Sequence, residues 1–461
     1  MSNDFFDDIY AALEDNTFEE KPVDVKTFVE GEDFLAQPPL SDIQYGIVEY
    51  MSQIYREEDL IKLMGEEAGR EHYKHYTKNE LILALGKGSH IATDEVYNPE
   101  TGQWNTIASL MENTSAKVQG YDQKSVVQDS TEAWCEGYSE VYRVDLEKGV
   151  SVTVSPDHSF YDKSLNRVKL KKCAIGDRVA LAAKTYCSSP QEIDDNEVLL
   201  LGWWLGDGMM PIDEPRRRII NMDFSNNDKE AQEKYLSILR SHGDNPNVIV
   251  NPNGKAMTAV RSGIRQSPWA LSVSKKYGLW GTRANDKVIP DVVWGLSDRQ
   301  IALFFSALWG TDGTVYYKKN GKKKSRWVLE YTTISENLAI GIQRLLTRLG
   351  VIASLRSRIP TYTYDGEKLN GQRAYYLTIS DAEGFRRFGS QVKLFDKQHL
   401  LDQGIEQYKD VKSQSHYSGD LFFAKIKSVT KEVMPQPVFT MTAVDTHNFV
   451  ANLVLNGNSG K

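Results

Sequence analysis

Residues 81–88 read Leu81-Ile82-Leu83-Ala84-Leu85-Gly86-Lys87-Gly88, and the last three residues of the chain read Ser459-Gly460-Lys461. Joined end to end, the two stretches form an apolar strand followed by most of a phosphate-binding P-loop. Such a loop binds phosphate because successive backbone N–H groups point into one concavity and a lysine reaches the outer phosphates. Neither half does this alone. The sequence therefore predicts that residues 89–458 are an inserted block that is able to remove itself.

Charge is distributed unevenly across the first boundary of this block. Residues 1–88 carry 20 acidic and 8 basic side chains, a net charge of −12, and the rest of the chain carries 43 acidic and 47 basic side chains, a net charge of +4. We expect the basic part to be the one that binds nucleic acid. The total length of 461 residues allows about two to four domains.

The cysteine content and the hydropathy of the sequence indicate in which cellular compartment the protein occurs. The three cysteines have neither metal-ligand spacing nor the even count of a disulfide framework, and the first residues lack the order of a signal peptide. No stretch reaches the roughly 18 apolar residues that a membrane-spanning helix needs. We expect a cytoplasmic protein that does not contact a membrane.

The texture of the sequence changes along the chain. Residues 43–54 follow a helical pattern, whereas residues 89–187 consist of short β-branched runs such as Val150-Ser151-Val152-Thr153-Val154. Residues 196–425 alternate apolar helical stretches with strand-like runs, and residues 438–455 return to strands. These patterns predict a mostly helical first segment and an all-β domain that is split by an α+β domain.

The residue types at the edges of the block suit self-excision. Ser89 can attack the carbonyl of Gly88 and convert the amide into an ester. Ser459 can then attack this ester, which transfers the acyl group of residues 1–88 to its hydroxyl oxygen. Cyclisation of Asn458 on its own carbonyl would cut the branch, and an O-to-N acyl shift would join Gly88 to Ser459. Each step needs a proton shuttle and a donor to the developing oxyanion.

Four short blocks match a known family. The stretches Ser89 to Val96, Ser155-Pro156-Asp157-His158, Val444 to Asn452 and Asn456-Gly457-Asn458-Ser459 resemble, in this order, the splicing blocks of inteins. The resemblance implies an all-β HINT-type splicing domain that needs no cofactor. It also implies that His158 activates the first scissile amide and that His447 assists the cyclisation of Asn458.

The chain departs from the intein pattern at four positions. Ser89 replaces the commoner cysteine, Ser155 replaces threonine, and Thr440 stands where many inteins have aspartate. Gly457 occupies the place of the usual penultimate histidine. We expect His447 to carry more of the role of that histidine and C-terminal cleavage to be slower.

An apolar helix that ends in Asp-Gly occurs twice. The stretch Leu200 to Gly208 recurs as Phe305 to Gly313, with small residues at matching places. Small residues let two helices approach closely, which would bring Asp207 and Asp312 together at one end. Paired carboxylates are costly unless a divalent cation neutralises them, and hard oxygen ligands suit Mg²⁺. The repeat therefore predicts a Mg²⁺-dependent site for phosphodiester hydrolysis.

This duplicated motif resembles that of the LAGLIDADG (DOD-type) homing endonucleases, which implies pseudo-twofold αββαββα repeats in a monomer that cuts double-stranded DNA of the intein-free host gene. Lys287 and the stretch Ser335 to Ala353 resemble further blocks of that family, and Lys287 is a candidate catalytic lysine. Basic residues that can contact the DNA backbone are Arg216, Arg217, Arg218, Lys322, Lys323, Lys324 and Arg326.

The interrupted protein has a signature of its own. Pro39 to Gln44, taken with the rejoined loop, resembles the ATPase front of a phage terminase large subunit, which implies a phage protein in the bacterial cytoplasm. After splicing, ATP and Mg²⁺ would bind at Gly86, Lys87, Gly88, Ser459, Gly460 and Lys461. A helicase or another P-loop ATPase is the alternative host.

The predicted organisation follows from these assignments. Residues 1–88 are a host fragment, 89–190 the first part of the splicing domain, 191–428 the endonuclease, 429–458 the second part of the splicing domain and 459–461 the start of the second host fragment. Two alternatives stay open: a P-loop ATPase that keeps a permanent insertion, and a splicing element whose endonuclease binds DNA but no longer cuts it.

Overall fold

The computed structural model describes residues 90–111, 116–210, 212–213, 218–219, 221–249, 258–263, 265–320, 323–364, 367–411 and 416–458. The predicted helical host fragment, the two serine nucleophiles Ser89 and Ser459 and the P-loop residues lie outside these ranges. None of the described helices is long and apolar enough to cross a membrane.

Strands from the two ends of the described chain form one layer. The N-terminal group is β1 (His90–Ile91), β2 (Glu95–Tyr97), β3 (Trp104–Thr106), helix α1 (Ile107–Leu110), β4 (Lys117–Tyr121), β5 (Val126–Ser139), β6 (Tyr142–Leu146), β7 (Ser151–Val154), β8 (Ser159–Tyr161), β9 (Arg167–Lys169) and β10 (Arg178–Ala182). The C-terminal group is β23 (Tyr417–Ser418), β24 (Leu421–Lys431), β25 (Gln436–Ala443), β26 (Asn448–Ala451) and β27 (Val454–Gly457).

Pairing between these groups brings the ends of the block together. The strand order is β3-β2-β26-β27-β10-β24-β6-β7-β1-β25-β5-β4, with β8 joined to β27 and β9. The first described residue, His90, pairs with Val154 on one side and with Phe439 on the other. The hairpin of β26 and β27 turns at Asn452 and Leu453, which both have positive φ, as a two-residue turn of this hand requires.

The middle of the chain forms two similar halves. The first contains α2 (Asp195–Asp207), β11 (Gly208–Met209), β12 (Ile212–Asp213), β13 (Arg218–Ile219), β14 (Asn221–Asn226), α3 (Lys229–Ser241), β15 (Asn247–Ile249), β16 (Thr258–Gly263) and α4 (Pro268–Lys276). After α5 (Asp291–Trp294), the second contains α6 (Asp298–Trp309), β17 (Gly313–Asn320), β18 (Lys323–Thr333), α7 (Glu336–Leu345), β19 (Ser354–Arg358), β20 (Thr361–Tyr364), β21 (Glu367–Asn370), β22 (Ala374–Ile379), α8 (Ala382–Gly389) and α9 (Gln398–Tyr408).

Each half contributes a four-stranded sheet and begins with one copy of the Asp-Gly helix. The orders are β11-β14-β16-β15 and β17-β18-β22-β19. An all-β layer split by an α+β repeat of helices and strand pairs confirms the predicted fold class for the described residues.

The two Asp-Gly helices, α2 and α6, touch along a seam of small residues. A Cβ placed on Gly202 would lie 2.6 Å from the Phe304 carbonyl oxygen and 2.8 Å from the Ala307 Cβ. Such distances leave no room for a side chain, so glycine is required where the helix backbones meet. The predicted role of the small residues is therefore confirmed, and the seam places Asp207 and Asp312 at one end of the helix pair.

The second boundary of the α+β region lies earlier than residue 428. Leu421–Lys431 is β24, which pairs with β10 and β6 inside the all-β layer. Its alternating apolar residues predict a strand, but alternation does not tell which sheet a strand joins. The all-β layer therefore resumes before Leu421, and the predicted boundary is corrected accordingly.

Candidate functional site

The first half of the candidate splicing site contains a buried pair of histidines beside the first predicted junction. His90 on β1 and His158, just before β8, are both almost fully buried. Their ring centroids lie 4.6 Å apart in an edge-to-face arrangement. Burial lowers the pKa of His90 to about 3, and burial, reinforced by repulsion from His90, puts the pKa of His158 well below its usual value. Both rings are therefore neutral at pH 7.

His158 links the two ends of the block. Its Nε2 lies 2.9 Å from Oδ1 of Asn456 on β27. The amide of Asn456 is fixed in turn, because its Nδ2 donates to the carbonyl oxygens of Val454 and Ala451. Since an amide oxygen only accepts, His158 Nε2 carries the proton and Nδ1 has a free lone pair. Within the described residues this Nδ1 has no hydrogen-bond partner, which leaves it available to a group at the junction.

Asp94 completes this cluster, and the sequence patterns did not single it out. Its carboxyl lies 2.8 Å from His90 Nδ1 and accepts a hydrogen bond of 2.7 Å from Asn452 Nδ2. Burial is the main cause that raises the pKa of Asp94 to about 8. Because burial disfavours the charged form of both partners, the contact with His90 is a neutral hydrogen bond rather than an ion pair.

The second half of the splicing site holds the terminal asparagine. Asn458 follows β27 and is 5% exposed. Its side-chain amide pairs with the backbone of Ala443: Oδ1 accepts from the Ala443 N–H at 3.0 Å, and Nδ2 donates to the Ala443 carbonyl at 2.9 Å. This pairing fixes the orientation of the group that the sequence predicts to cyclise.

His447 is placed differently from the expectation. Its backbone carbonyl accepts the N–H of Asn458 at 3.0 Å, and its φ of 56° lies in the left-handed region. Its side chain is exposed. The observed contribution of His447 to the site is thus its backbone, and a role of the ring in cyclisation stays a prediction.

The two aspartates of the repeated motif form the second site. Asp207 ends α2 and Asp312 follows α6. The surroundings of each aspartate change the pKa of its carboxyl. Burial and repulsion from Asp312 raise the pKa of Asp207 to about 7. Asp312 keeps a solvent-accessible edge, yet desolvation by the surrounding protein still raises its pKa. Asn226 Nδ2 donates to Asp207 at 2.5 Å.

Two lysines flank these carboxylates in equivalent ways. Lys287 Nζ donates to the carbonyl oxygens of Gly206 at 2.9 Å and Gly208 at 3.2 Å, on either side of Asp207. Lys397 Nζ likewise donates to carbonyls around Asp312, with the shortest distance, 2.6 Å, to Gly313. Desolvation lowers the pKa of both lysines, although both aspartates oppose this effect.

Lys397 is missing from the sequence prediction, although a signal for it exists. Asp286-Lys287 and Asp396-Lys397 are the same dipeptide, and each follows its helix aspartate at a similar distance along the chain. A search for pseudo-symmetry beyond the helices would have found it.

The carboxylates fit a divalent cation. The described residues contain no group of three or more histidine, cysteine, aspartate or glutamate side chains able to hold a metal. Two carboxyls with raised pKa values are nevertheless a pair that a nearby cation would stabilise in the ionised form. Asp207 and Asp312 are the residues that would hold such an ion.

The predicted DNA contacts lie on β-hairpins or outside the described residues. Arg218 is in β13, Lys323 and Lys324 open β18, and Arg326 is exposed on β18 opposite Lys318. Arg216, Arg217 and Lys322 lie outside the described residues. The hairpins β12–β13 and β17–β18 follow the first helix of each half, so they occupy matching places in the repeat.

Comparison with known proteins bears on both parts of the chain. A family model described as the intein splicing domain matches residues 96–458. A model described as the N-terminal P-loop domain of the uncharacterized protein MJ0330 matches residues 3–91. The second match agrees with a P-loop host fragment and does not single out a terminase.

Similar curated proteins are much longer than the matching segment. The replicative DNA helicase DnaB of Synechocystis sp. is 27% identical over 338 residues, which are 69% of this chain and 36% of the helicase. The ATP-dependent DNA helicase Hel308 of Methanocaldococcus jannaschii is 22% identical over 283 residues, 57% of this chain and 21% of the helicase. The chain thus spans about a third or less of the length of these relatives.

Two solved structures are similar to this chain. The G-1F mutant of the Ssp DnaB mini-intein variant M86 is 8% identical, with a TM-score of 0.28, and covers 81% of this chain and 99% of its own. The LAGLIDADG meganuclease I-AabMI bound to uncleaved DNA is 12% identical, with a TM-score of 0.31, and covers 46% and 90%. The sequence match over residues 96–458 spans most of the chain, and the protein therefore belongs to the intein splicing domain family.

Proposed function

We propose that the chain is a precursor that excises residues 89–458 and ligates Gly88 to Ser459. The observation that carries this proposal is the position of His158. Its ring contacts the ring of His90, the second residue after the first junction, and the amide of Asn456, which is close to the second junction. One neutral imidazole thus stands between both scissile regions.

The chemistry assigns a role to each group. His158 Nδ1, neutral and free to accept, takes the proton of the Ser89 hydroxyl as the oxygen attacks the Gly88 carbonyl. The same proton then passes to the departing amine of Ser89, which leaves an ester. After Ser459 has taken over the acyl group, the Nδ2 of Asn458 attacks its own carbonyl. A succinimide forms and the bond to Ser459 breaks.

Intact mass spectrometry of variants tests this proposal. Ser89→Ala removes the first nucleophile, so we expect no ligated product of residues 1–88 with 459–461. Asn458→Ala removes the cyclising amide, so we expect the branched ester to accumulate. Ligated product from either variant would refute these assignments.

We also propose that the α+β region between β10 and β23 cuts double-stranded DNA of the uninterrupted host gene as a monomer. The support is the pair Asp207 and Asp312 at the end of the glycine seam, with Lys287 and Lys397 in matching places. A bound Mg²⁺ would supply activation of water and stabilisation of the leaving phosphodiester oxygen. Asp207 and Asp312 would hold the cation, and the lysines donate to the carbonyls around each aspartate.

Cleavage of a DNA duplex that spans the rejoined P-loop codons tests the nuclease. We expect Mg²⁺-dependent double-strand cleavage by the full chain and none by Asp207→Asn or Asp312→Asn. Binding without cleavage by the unaltered chain would favour the alternative of a nuclease that only binds DNA.

For the host we propose a P-loop ATPase of the phage terminase type. The match of residues 3–91 to a P-loop domain supports the ATPase, and Pro39 to Gln44 supports the terminase. ATP hydrolysis by the ligated host together with packaging of DNA would support the terminase, whereas strand separation of a duplex would favour a helicase.

A further inference from the structure

Gly457 stands where inteins usually have a histidine, and the structure has another side chain at that place. A Cβ added to Gly457 would lie 2.9 Å from both Nε and Nη2 of Arg167 and 3.1 Å from Cζ. The space that a side chain at residue 457 would need is therefore filled by the guanidinium of Arg167. Gly457 is buried within β27, so this contact is part of the packed sheet.

Arg167 uses this space to reach the scissile carbonyl. Its Nη2 donates a hydrogen bond to the main-chain oxygen of Asn458, the atom on which negative charge develops when Asn458 cyclises. The oxygen belongs to the peptide bond that must break, and the guanidinium presents a cationic N–H donor to it.

The strand pairing explains how Arg167 arrives there. It begins β9, where it pairs with Tyr161 of β8, and β8 pairs through Phe160 with Asn456 of β27. The hairpin of β8 and β9 therefore presents His158 to one side of the site and Arg167 to the terminal peptide. The two side chains contact residues that are two positions apart near the end of the block.

We propose that Arg167 is the oxyanion donor for cyclisation of Asn458 and that Gly457 is required to admit it. This inference rests on the proposed splicing. In the step, Asn458 Nδ2 forms a bond to its own carbonyl carbon and loses a proton. The carbon–nitrogen bond to Ser459 breaks, and the departing amine gains a proton. Arg167 stabilises the oxygen that carries the charge between these two events and transfers no proton itself.

The assay uses the full chain and follows its two junctions separately. Hydroxylamine cleavage measures the ester at Gly88–Ser89. Release of residues 459–461, either free or joined to residues 1–88, is measured by mass spectrometry and reports cyclisation; it is called peptide release below. We expect Arg167→Ala to leave the ester unchanged and to slow peptide release roughly 100-fold, the usual effect of losing one oxyanion donor. Arg167→Lys keeps a cation and should slow release less.

Gly457→Ala is the matched variant, because the new methyl group would push the guanidinium away while Arg167 stays in the chain. The displaced atoms are the far end of a flexible side chain, so the sheet can keep its register. We expect Gly457→Ala to slow peptide release, and the double variant with Arg167→Ala to be no slower than the slower single variant. Arg143→Ala, at an exposed arginine of β6, serves as the control and should change neither rate.

Three results would overturn this role of Arg167: unchanged peptide release in Arg167→Ala, effects of the two substitutions that multiply, or equal loss of the ester and of peptide release. A different result separates the underlying proposal. An unaltered chain that forms no ester and releases residues 459–461 neither free nor joined to residues 1–88 would refute the splicing itself, whatever the variants do.

Discussion

Replacing Gly202 by alanine would place a methyl group in the seam between the two Asp-Gly helices. Its Cβ would lie 2.6 Å from the Phe304 carbonyl oxygen and 3.0 Å from the Leu308 nitrogen, both of which belong to the facing helix backbone. Because backbone atoms cannot rotate away, the helices must separate by several tenths of an ångström. Overpacking of this kind costs about 1–3 kcal/mol. The better helix propensity of alanine offsets about 1 kcal/mol of this destabilisation. We expect a net loss of ~1 kcal/mol.

The effect on function should be larger than the effect on stability. Both aspartates lie at one end of the seam, and a site of this kind tolerates a misplacement of only about 0.5 Å. We expect Mg²⁺-dependent cleavage to fall by about tenfold or more, and splicing to continue at the unaltered rate because its residues lie in the other layer. Urea unfolding followed by tryptophan fluorescence reports on the seam, since Trp203 and Trp309 are buried beside it.

Glu233→Ala, on the exposed side of α3, is the control and should change the free energy of unfolding by less than about 0.5 kcal/mol. Gly202→Ala with unaltered cleavage and unaltered stability would show that the helices do not meet at this residue, and the account of the site would fail.

Three further predictions concern charge, proton transfer and the contact between the two parts. The pKa of Asp207 in the folded protein, about 7, is higher than in the unfolded chain. Its contribution to stability is therefore greatest below about pH 4 and is lost as the pH rises through 7. Thermal unfolding without Mg²⁺ should show this loss of stability, and added Mg²⁺ should restore the stability above about pH 7. His158→Ala should slow formation of the Gly88 ester by about 10²–10⁴-fold in the hydroxylamine assay, whereas an unchanged rate would exclude His158 as the base. Arg344→Ala removes a 2.6 Å ion pair with Glu95 across the two parts, and calorimetry should show a loss of about 1 kcal/mol, with no loss if the pair is only a surface contact.

Local patterns were enough to predict several parts of the molecule. The repeated Asp-Gly helix predicted the seam of small residues, and the structure places both aspartates at one end of it. The edges of the block, predicted from the residue types at the junctions, stay a prediction. These features are short in sequence and have a direct physical meaning, so no partner from elsewhere in the chain is needed to recognise them.

The parts that the sequence did not reveal depend on distant partners. β24 joins the splicing layer through β10 and β6, far away in sequence, and its alternation fits either sheet equally well. Arg167 fits beside the terminal peptide because Gly457 has no side chain. Lys397 contacts the carbonyls around Asp312 because the fold of the second half brings it there. The sequence does not distinguish Asp94 from the other acidic residues, because its hydrogen bond comes from Asn452 in a distant hairpin turn.

The most direct test of self-excision follows the unaltered chain of 461 residues over time by intact mass spectrometry. We predict that the precursor mass declines while two masses appear together, that of residues 89–458 and that of residues 1–88 joined to 459–461. A precursor that keeps its full mass, or that yields fragments without the joined product, would contradict the account.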